Sequence, residues 1–194
     1  MANTTFNGPV RALNGFEQIT KTAGTGAITT NFDVDASGNV SGTGTLKLTG
    51  AANILSDYAS ITDATLTITS ADSGTVYGFN RAAGIVVTLP TPAAGITYTF
   101  LVETTFSGAG QIVTATTDGT DGFLGNITMF DTGEIGETDN FNPAASNDII
   151  DLGAIEQGWL TGGIIRLFGV NTTTWFVDAT LMGDGTLATP FVDS

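Results

Sequence analysis

Apolar and polar residues alternate with a period of two in one short stretch after another along this chain. In residues 64–70, Leu66 and Ile68 face one way and the threonines the other, the pattern of a half-buried strand. Residues 96–103 set Tyr98, Phe100 and Val102 against Thr97, Thr99 and Leu101. Residues 77–79, 85–89 and 111–116 predict three further strands, the second ended by Pro90 and Pro92. The strongest pattern is near the end. Residues 162–170 and 174–181 predict two strands joined by Asn171-Thr172-Thr173, with Trp175, Val177, Ala179 and Leu181 sharing one face.

The first third reads differently. In residues 1–22 the apolar positions Phe6, Val10, Leu13, Phe16 and Ile19 follow no period, and Pro9 and Gly15 break any helix. This segment predicts an extended arm with apolar anchors, for docking on a neighbour or for an edge strand of its own domain. Residues 23–74 form a Gly/Thr-rich β region. Phe32 and Val34 alternate with Asp33 and Asp35, and Leu46 and Leu48 alternate within residues 45–49, a β-hairpin pattern with a narrow apolar stripe. Residues 51–60 predict the one short helix. Residues 118–147 are acidic and glycine-punctuated, which predicts a strand near 126–130 followed by a surface loop. A tail with Leu187 and Phe191 as anchors closes the chain. Strands this short and frequent predict an all-β fold: an antiparallel β-sandwich or barrel-like C-terminal domain over residues 75–194, preceded by the arm and the hairpin region.

Composition agrees. The 194 residues include 35 Thr and 26 Gly, which favour pleated surfaces and tight turns over helices. Hydrophobic residues are 41% and charged residues 12%, too apolar for a disordered chain. The net charge of −14 is uneven: residues 1–78 carry three Lys/Arg against six Asp/Glu, residues 79–194 two against thirteen. Such a surface repels phosphates, so no nucleic-acid partner is expected. The N-terminal residues lack a signal-peptide pattern, and the most apolar run, 163–170, is short and holds Arg166. No membrane partner is expected, and synthesis in the cytoplasm is.

Candidate chemistry is sparse. The absence of Cys and His excludes a disulfide framework, a thiolate nucleophile, a Cys/His zinc site and a Ser-His-Asp triad. Phe130-Asp131-Thr132-Gly133 carries the local signature of an aspartic protease, but Glu134, Glu137 and Asp139 crowd charge where a desolvated dyad is needed, which predicts a surface turn. Asp33-Val34-Asp35-Ala36-Ser37-Gly38 begins like a calcium loop, yet its twelfth position is Gly44. Asp118, Asp121, Asp131, Glu134, Glu137 and Asp139 are hard donors suited to Ca²⁺ at a spacing that matches no motif. Paired carboxylates for a glycosidase lack the long aromatic loops such sites use. The glycines of 23–27 and 107–110 lack the lysine of a phosphate loop, and Arg166 predicts a pairing with a carboxylate. No catalytic residue, resident metal or cofactor is expected, calcium being the one candidate ion, and the chain reads as not an enzyme.

Three stretches together resemble a known group. Residues 3–16, Asn-Thr-Thr-Phe-Asn-Gly-Pro-Val-Arg-Ala-Leu-Asn-Gly-Phe, are similar to the N-terminal arm of virion proteins of tailed bacteriophages, marine and cyanobacterial ones above all. Val86-Val-Thr-Leu-Pro90 followed by Tyr98-Thr-Phe-Leu-Val102 resembles their core. Trp175-Phe-Val-Asp-Ala followed by residues 183–191, Gly-Asp-Gly-Thr-Leu-Ala-Thr-Pro-Phe, resembles their ending. The resemblance implies a capsid decoration (cement) protein, a homotrimer on the outer surface of the head that bridges subunits of the major capsid protein. It implies a capsid-binding arm of Phe6, Pro9, Val10, Arg11, Leu13 and Phe16, and trimer or core contacts through Phe32, Val34, Leu46, Leu48, Trp175 and Phe191. Residues 32–46 instead resemble repeat text in trimeric phage fibres, which keeps a fibre or a receptor- or glycan-binding domain as the alternative, with a platform expected near Trp159, Tyr58 or Tyr77.

Overall fold

The computed structural model describes residues 16–21, 28–34, 40–42, 57–114, 120–134 and 137–194. The chain divides into two compact units, Met1–Ile54 and Leu55–Ser194. In the first, β1 (Phe16–Lys21), β2 (Ile28–Val34) and β3 (Val40–Gly42) form an antiparallel meander, with Phe16 opposite Val34 and Val34 opposite Val40. Of the hairpin pattern expected here, Phe32 to Val34 pair antiparallel with Val40 to Gly42, β1 from the end of the expected arm pairs with β2, and residues 45–49 lie outside the described residues.

The second unit begins with a repeating path. β4 (Tyr58–Ile61), β6 (Val76–Phe79) and β8 (Thr97–Val102) lie side by side and parallel in one sheet. β5 (Thr65–Thr67), β7 (Val86–Thr88) and β9 (Gln111–Val113) do the same in another. Each turn of chain thus gives one strand to each sheet, and three such rungs stack. Because the chain changes sheet after every strand, successive strands of one sheet run the same way.

The corners of the rungs also stack. Gly84 has φ +91°, and a Cβ there would sit 2.0 Å from the Ala109 carbonyl oxygen of the next corner. Ser107 donates its backbone N–H to the Ala82 carbonyl at 2.6 Å, and a Cβ at Gly108 would lie 2.6 Å from the Ala83 carbonyl oxygen. Gly84 and Gly108 serve this close approach of backbones, while Gly110 leaves room for the Phe106 ring.

The rest of the chain completes both sheets. β10 (Gly122–Asp131), β11 (Thr138–Phe141), β13 (Ile164–Gly169) and β14 (Thr174–Gly183) extend the first to seven strands, in the order β11-β10-β14-β13-β8-β6-β4. β12 (Ile149–Asp151) and β15 (Phe191–Val192) extend the second to five, in the order β15-β12-β9-β7-β5. The expected hairpin is β13–β14, antiparallel, with Arg166 opposite Asp178, and Thr173 N–H donates to Asn171 Oδ1 at 2.8 Å in its turn.

Both sheets feed one core, as the alternation predicted. Trp175, Val177 and Leu181 are fully buried, as are Tyr98, Phe100, Ile165, Ile112 and Ile150. Aromatic rings set its centre: Tyr98 and Trp175 lie 5.7 Å apart, and Phe79 contacts both Phe100 and Phe106. The Tyr98 hydroxyl donates to the Thr69 carbonyl at 2.8 Å. The all-β reading holds, with sheets that mix parallel and antiparallel pairing.

Three local expectations change. Of the helix expected over 51–60, residues 58–60 are strand, because pairing of β4 with β6 outweighs the weak helical propensity of Tyr-Ala-Ser; residues 51–56 lie outside the described residues. The larger unit starts at Leu55 rather than at residue 75, since β4 and β5 are its first rung. The loop expected after 130 contains β11, paired antiparallel with β10.

Candidate interaction surfaces

The Asp-Thr-Gly segment ends β10 and forms a surface turn. Asp131 Oδ1 accepts the Gly133 N–H at 2.7 Å and the Glu134 N–H at 3.3 Å, and Thr132 Oγ1 donates to the Gly183 carbonyl at 3.0 Å. The carboxylate is thus committed to its own turn. Asp131, Glu134, Glu137 and Asp139 do converge on one open depression of about 420 Å³, closed on the other side by Gly185, Thr186 and Leu187. Among the described residues no three acidic side chains are placed to hold one metal ion. The depression is an acidic concavity, suited to repelling anions and attracting cations.

Arg166 forms the expected pair. Its guanidinium lies 3.4 Å from Asp178 Oδ2, across the strands at matched register. Both side chains are about half exposed, so water screens the pair and it adds at most about 1 kcal/mol.

Beside that pair lies an apolar row. On the outward face of the seven-stranded sheet Leu124 is opposite Phe176, and Phe176 is opposite Phe168. The three are 55%, 38% and 41% exposed, and Val170, just past β13, is 47% exposed. The Phe168 and Phe176 rings lie 6.4 Å apart at 54°. The strands beneath are held by the buried alternation of Trp175, Val177 and Leu167, so the row is fixed in place before anything binds it. The adjoining row is polar, Asn126, Asp178 and Arg166, and the one after it sets Thr128 and Thr180 beside Ile164. Large rings standing together on one face of an otherwise acidic chain are the feature most suited to contact with another protein.

Sequence reasoning found the inward set and missed this one. Trp175 and Phe191 are buried in the core of the larger unit, the latter against Phe123 with ring centroids 6.3 Å apart. Phe16 opens β1, and Phe32 and Val34 lie on β2. Phe6, Pro9, Val10, Arg11, Leu13, Leu46 and Leu48 lie outside the described residues, as do Asp35 to Gly38 of the calcium-like loop. The signal for Phe168 and Phe176 was present: both are aromatic at positions that the alternation assigns to solvent.

Of the rings expected to form a glycan platform, Tyr77 is buried and Trp159 half-buried. Tyr58 alone is well exposed, and its hydroxyl donates to the Glu103 carboxylate over the bare backbone of Gly78, where a Cβ would collide with it. That hydrogen bond, more than any burial, raises the Tyr58 pKa above its ordinary value. Among the described residues no helix is long and apolar enough to cross a membrane. Comparison with family models, with curated proteins and with solved structures returns no match.

Proposed function

We propose that this protein is a structural part of a virion: a capsid decoration (cement) protein of a tailed bacteriophage. It sits as a homotrimer on the outer surface of the head and bridges major capsid subunits. It works by contact and not by catalysis. The observation that carries the reading is the row of Leu124, Phe176 and Phe168 on a rigid sheet face. Full burial of one such side chain is worth about 1.5–3 kcal/mol, so a few of them suffice for a stable contact once three copies act together. The phage-like stretches at residues 3–16, 86–102 and 175–191 support the location. The excess of acid in residues 79–194 suits surfaces left facing solvent.

The test mixes the purified chain with empty shells of the phage that encodes it and measures occupancy after pelleting. The double substitution Phe168→Ser and Phe176→Ser should lower affinity by at least roughly tenfold. Removal of residues 2–22 should do the same through loss of the arm. The serine variant should keep the parent's circular dichroism spectrum, and the truncation, which also removes β1, should keep the cooperative unfolding of Leu55–Ser194. Full occupancy by both variants contradicts the reading.

The stack of parallel rungs favours a second reading, a trimeric fibre or receptor-binding domain, because rung stacks extend naturally along one axis. Hits on a glycan array that vanish in Tyr58→Ala would support it, and an array without hits would remove its glycan-binding form.

A further inference from the structure

Among the described residues the rung stack ends at β4 and β5, each of which has a hydrogen-bonded strand on one side alone. The hydrogen bonds fix which backbone groups point away. The Asp57 and Ile61 carbonyls accept from Val76 and Asn80, so residues 57, 59 and 61 face β6, and Tyr58 and Ser60 present their N–H and C=O outward. Likewise the Ala64 carbonyl accepts from Val86 and the Ile68 N–H donates to Thr88, which leaves Thr65 and Thr67 facing outward.

The opposite edges of the same two sheets carry guards within or directly beside their strands. β11 holds Asp139 within a strand of Thr-Asp-Asn-Phe and is followed by Pro143. β15 is two residues long and follows Pro190. β4 and β5 themselves contain no charge and no Pro, and the two aspartates near them, Asp57 and Asp63, lie just outside the paired strands. Unguarded edges of this kind template an added strand. Between the two edges lies a depression of about 140 Å³, with Ala59, Ile61, Leu66 and Tyr77 among its lining residues, which has room for an aliphatic side chain.

Charge selects the occupant. Asp57 and Asp63 are exposed beside the two strands, and Asp72 lies close enough to Tyr77 to add, after burial and together with Asp57, to the rise in its hydroxyl pKa. The edge therefore repels a second copy of itself and attracts positive charge.

We propose that this end of the rung stack, at Tyr58–Ile61 and Thr65–Thr67, is a site for strand addition by an extended, net basic segment of another polypeptide that alternates apolar with polar residues. Main-chain hydrogen bonds to Tyr58, Ser60, Thr65 and Thr67 would supply the affinity, and the depression with its flanking aspartates the selectivity. This site is separate from the apolar row and stands whether or not the protein decorates a capsid.

The probe is a synthetic peptide alternating valine with lysine, offered to the full chain, with a valine–glutamate peptide as control. Hydrogen exchange should slow at the amides of Tyr58, Ser60, Thr65 and Thr67 with the lysine peptide and stay unchanged with the glutamate one. Ser60→Pro with Thr67→Pro removes two outward N–H groups and should weaken binding at least roughly tenfold. Thr65→Lys keeps every backbone hydrogen bond, so it tests the same site should the prolines unfold it, and it too should weaken binding. Slow exchange at these amides in the free chain at every concentration would mean that another segment of the same molecule fills the edge. Slow exchange that appears only on concentrating the protein would mean that a second copy does. Either result, or protection confined to other strands, overturns the proposal.

Discussion

Trp175 stands where the two halves of the larger unit meet: β14 carries it between β10 and β13, and its ring packs on Tyr98 of the third rung. Replacing it with alanine removes a fully buried ring, and Trp175→Ala should cost about 3–5 kcal/mol, read as a shift in the urea midpoint. Phe168 and Phe176 sit on the opposite face of the same hairpin, and their change to serine should alter stability by less than about 1 kcal/mol while weakening association. Tyr98 makes a pH-dependent contribution. Burial foremost, with Asp72 and Tyr77 adding to it, pushes its hydroxyl from an ordinary 10.0 up to about 12. The folded state thus holds the proton more tightly than the unfolded state. The stability this gives is complete below pH 10 and fades as the pH climbs towards 12, so tyrosinate absorbance and unfolding should rise together in that window. Tyr98→Phe should weaken that coupling, leaving the smaller share carried by Tyr58 and Tyr77. At this scale the inward residues were legible, because a strict period of two names them. The outward row was not, because the same period assigns its positions to solvent and says nothing of two phenylalanines and a leucine meeting across strands.

Strand positions were legible and strand partners were not. The alternation at 96–103 and 174–181 fixes which side chains enter the core, yet it is the same for parallel and antiparallel neighbours. Parallel pairing of β4, β6 and β8 follows from the chain crossing to the second sheet after each strand, which depends on corners whose glycines meet only in three dimensions. Two glycines isolate that effect. Gly74 and Gly84 have nearly the same backbone, φ +94° and +91°, but a Cβ at Gly74 meets nothing within 4 Å. Gly74→Ala should therefore cost about 1 kcal/mol of backbone strain alone. Gly84→Ala must also displace the Ala109 carbonyl and should cost about 2–4 kcal/mol. Equal losses in thermal unfolding would show that the corners do not carry the stack. Residues 58–61 were misread for a related reason. Tyr-Ala-Ser-Ile has no strong local preference, and only the presence of β6 beside it makes it a strand.

For the molecule as a whole, the sequence divides labour in a way that the two units respect. The aromatic core and the apolar row lie in Leu55–Ser194, which also holds most of the acid. Removing residues 2–22 should leave the cooperative unfolding of this larger unit within about 1 kcal/mol of the parent, measured by its tryptophan fluorescence, since both tryptophans belong to it. Sedimentation of the full chain should give three copies, and Phe168→Ser with Phe176→Ser should leave that number unchanged if the row faces the shell and not the trimer axis. Fold class was legible from composition and period. The proposed role rests on the phage-like stretches together with the apolar row, because a contact surface carries no motif of its own.

The central claim is that this chain is a structural component of a phage head, attached through the face that bears Phe168 and Phe176. Cryo-electron microscopy of the intact particle tests it most directly. Three copies should be grouped on the outer surface of the shell, with both rings buried against a major capsid subunit. Density for the chain in a tail or fibre, its absence from the particle, or both rings left open to solvent would contradict it.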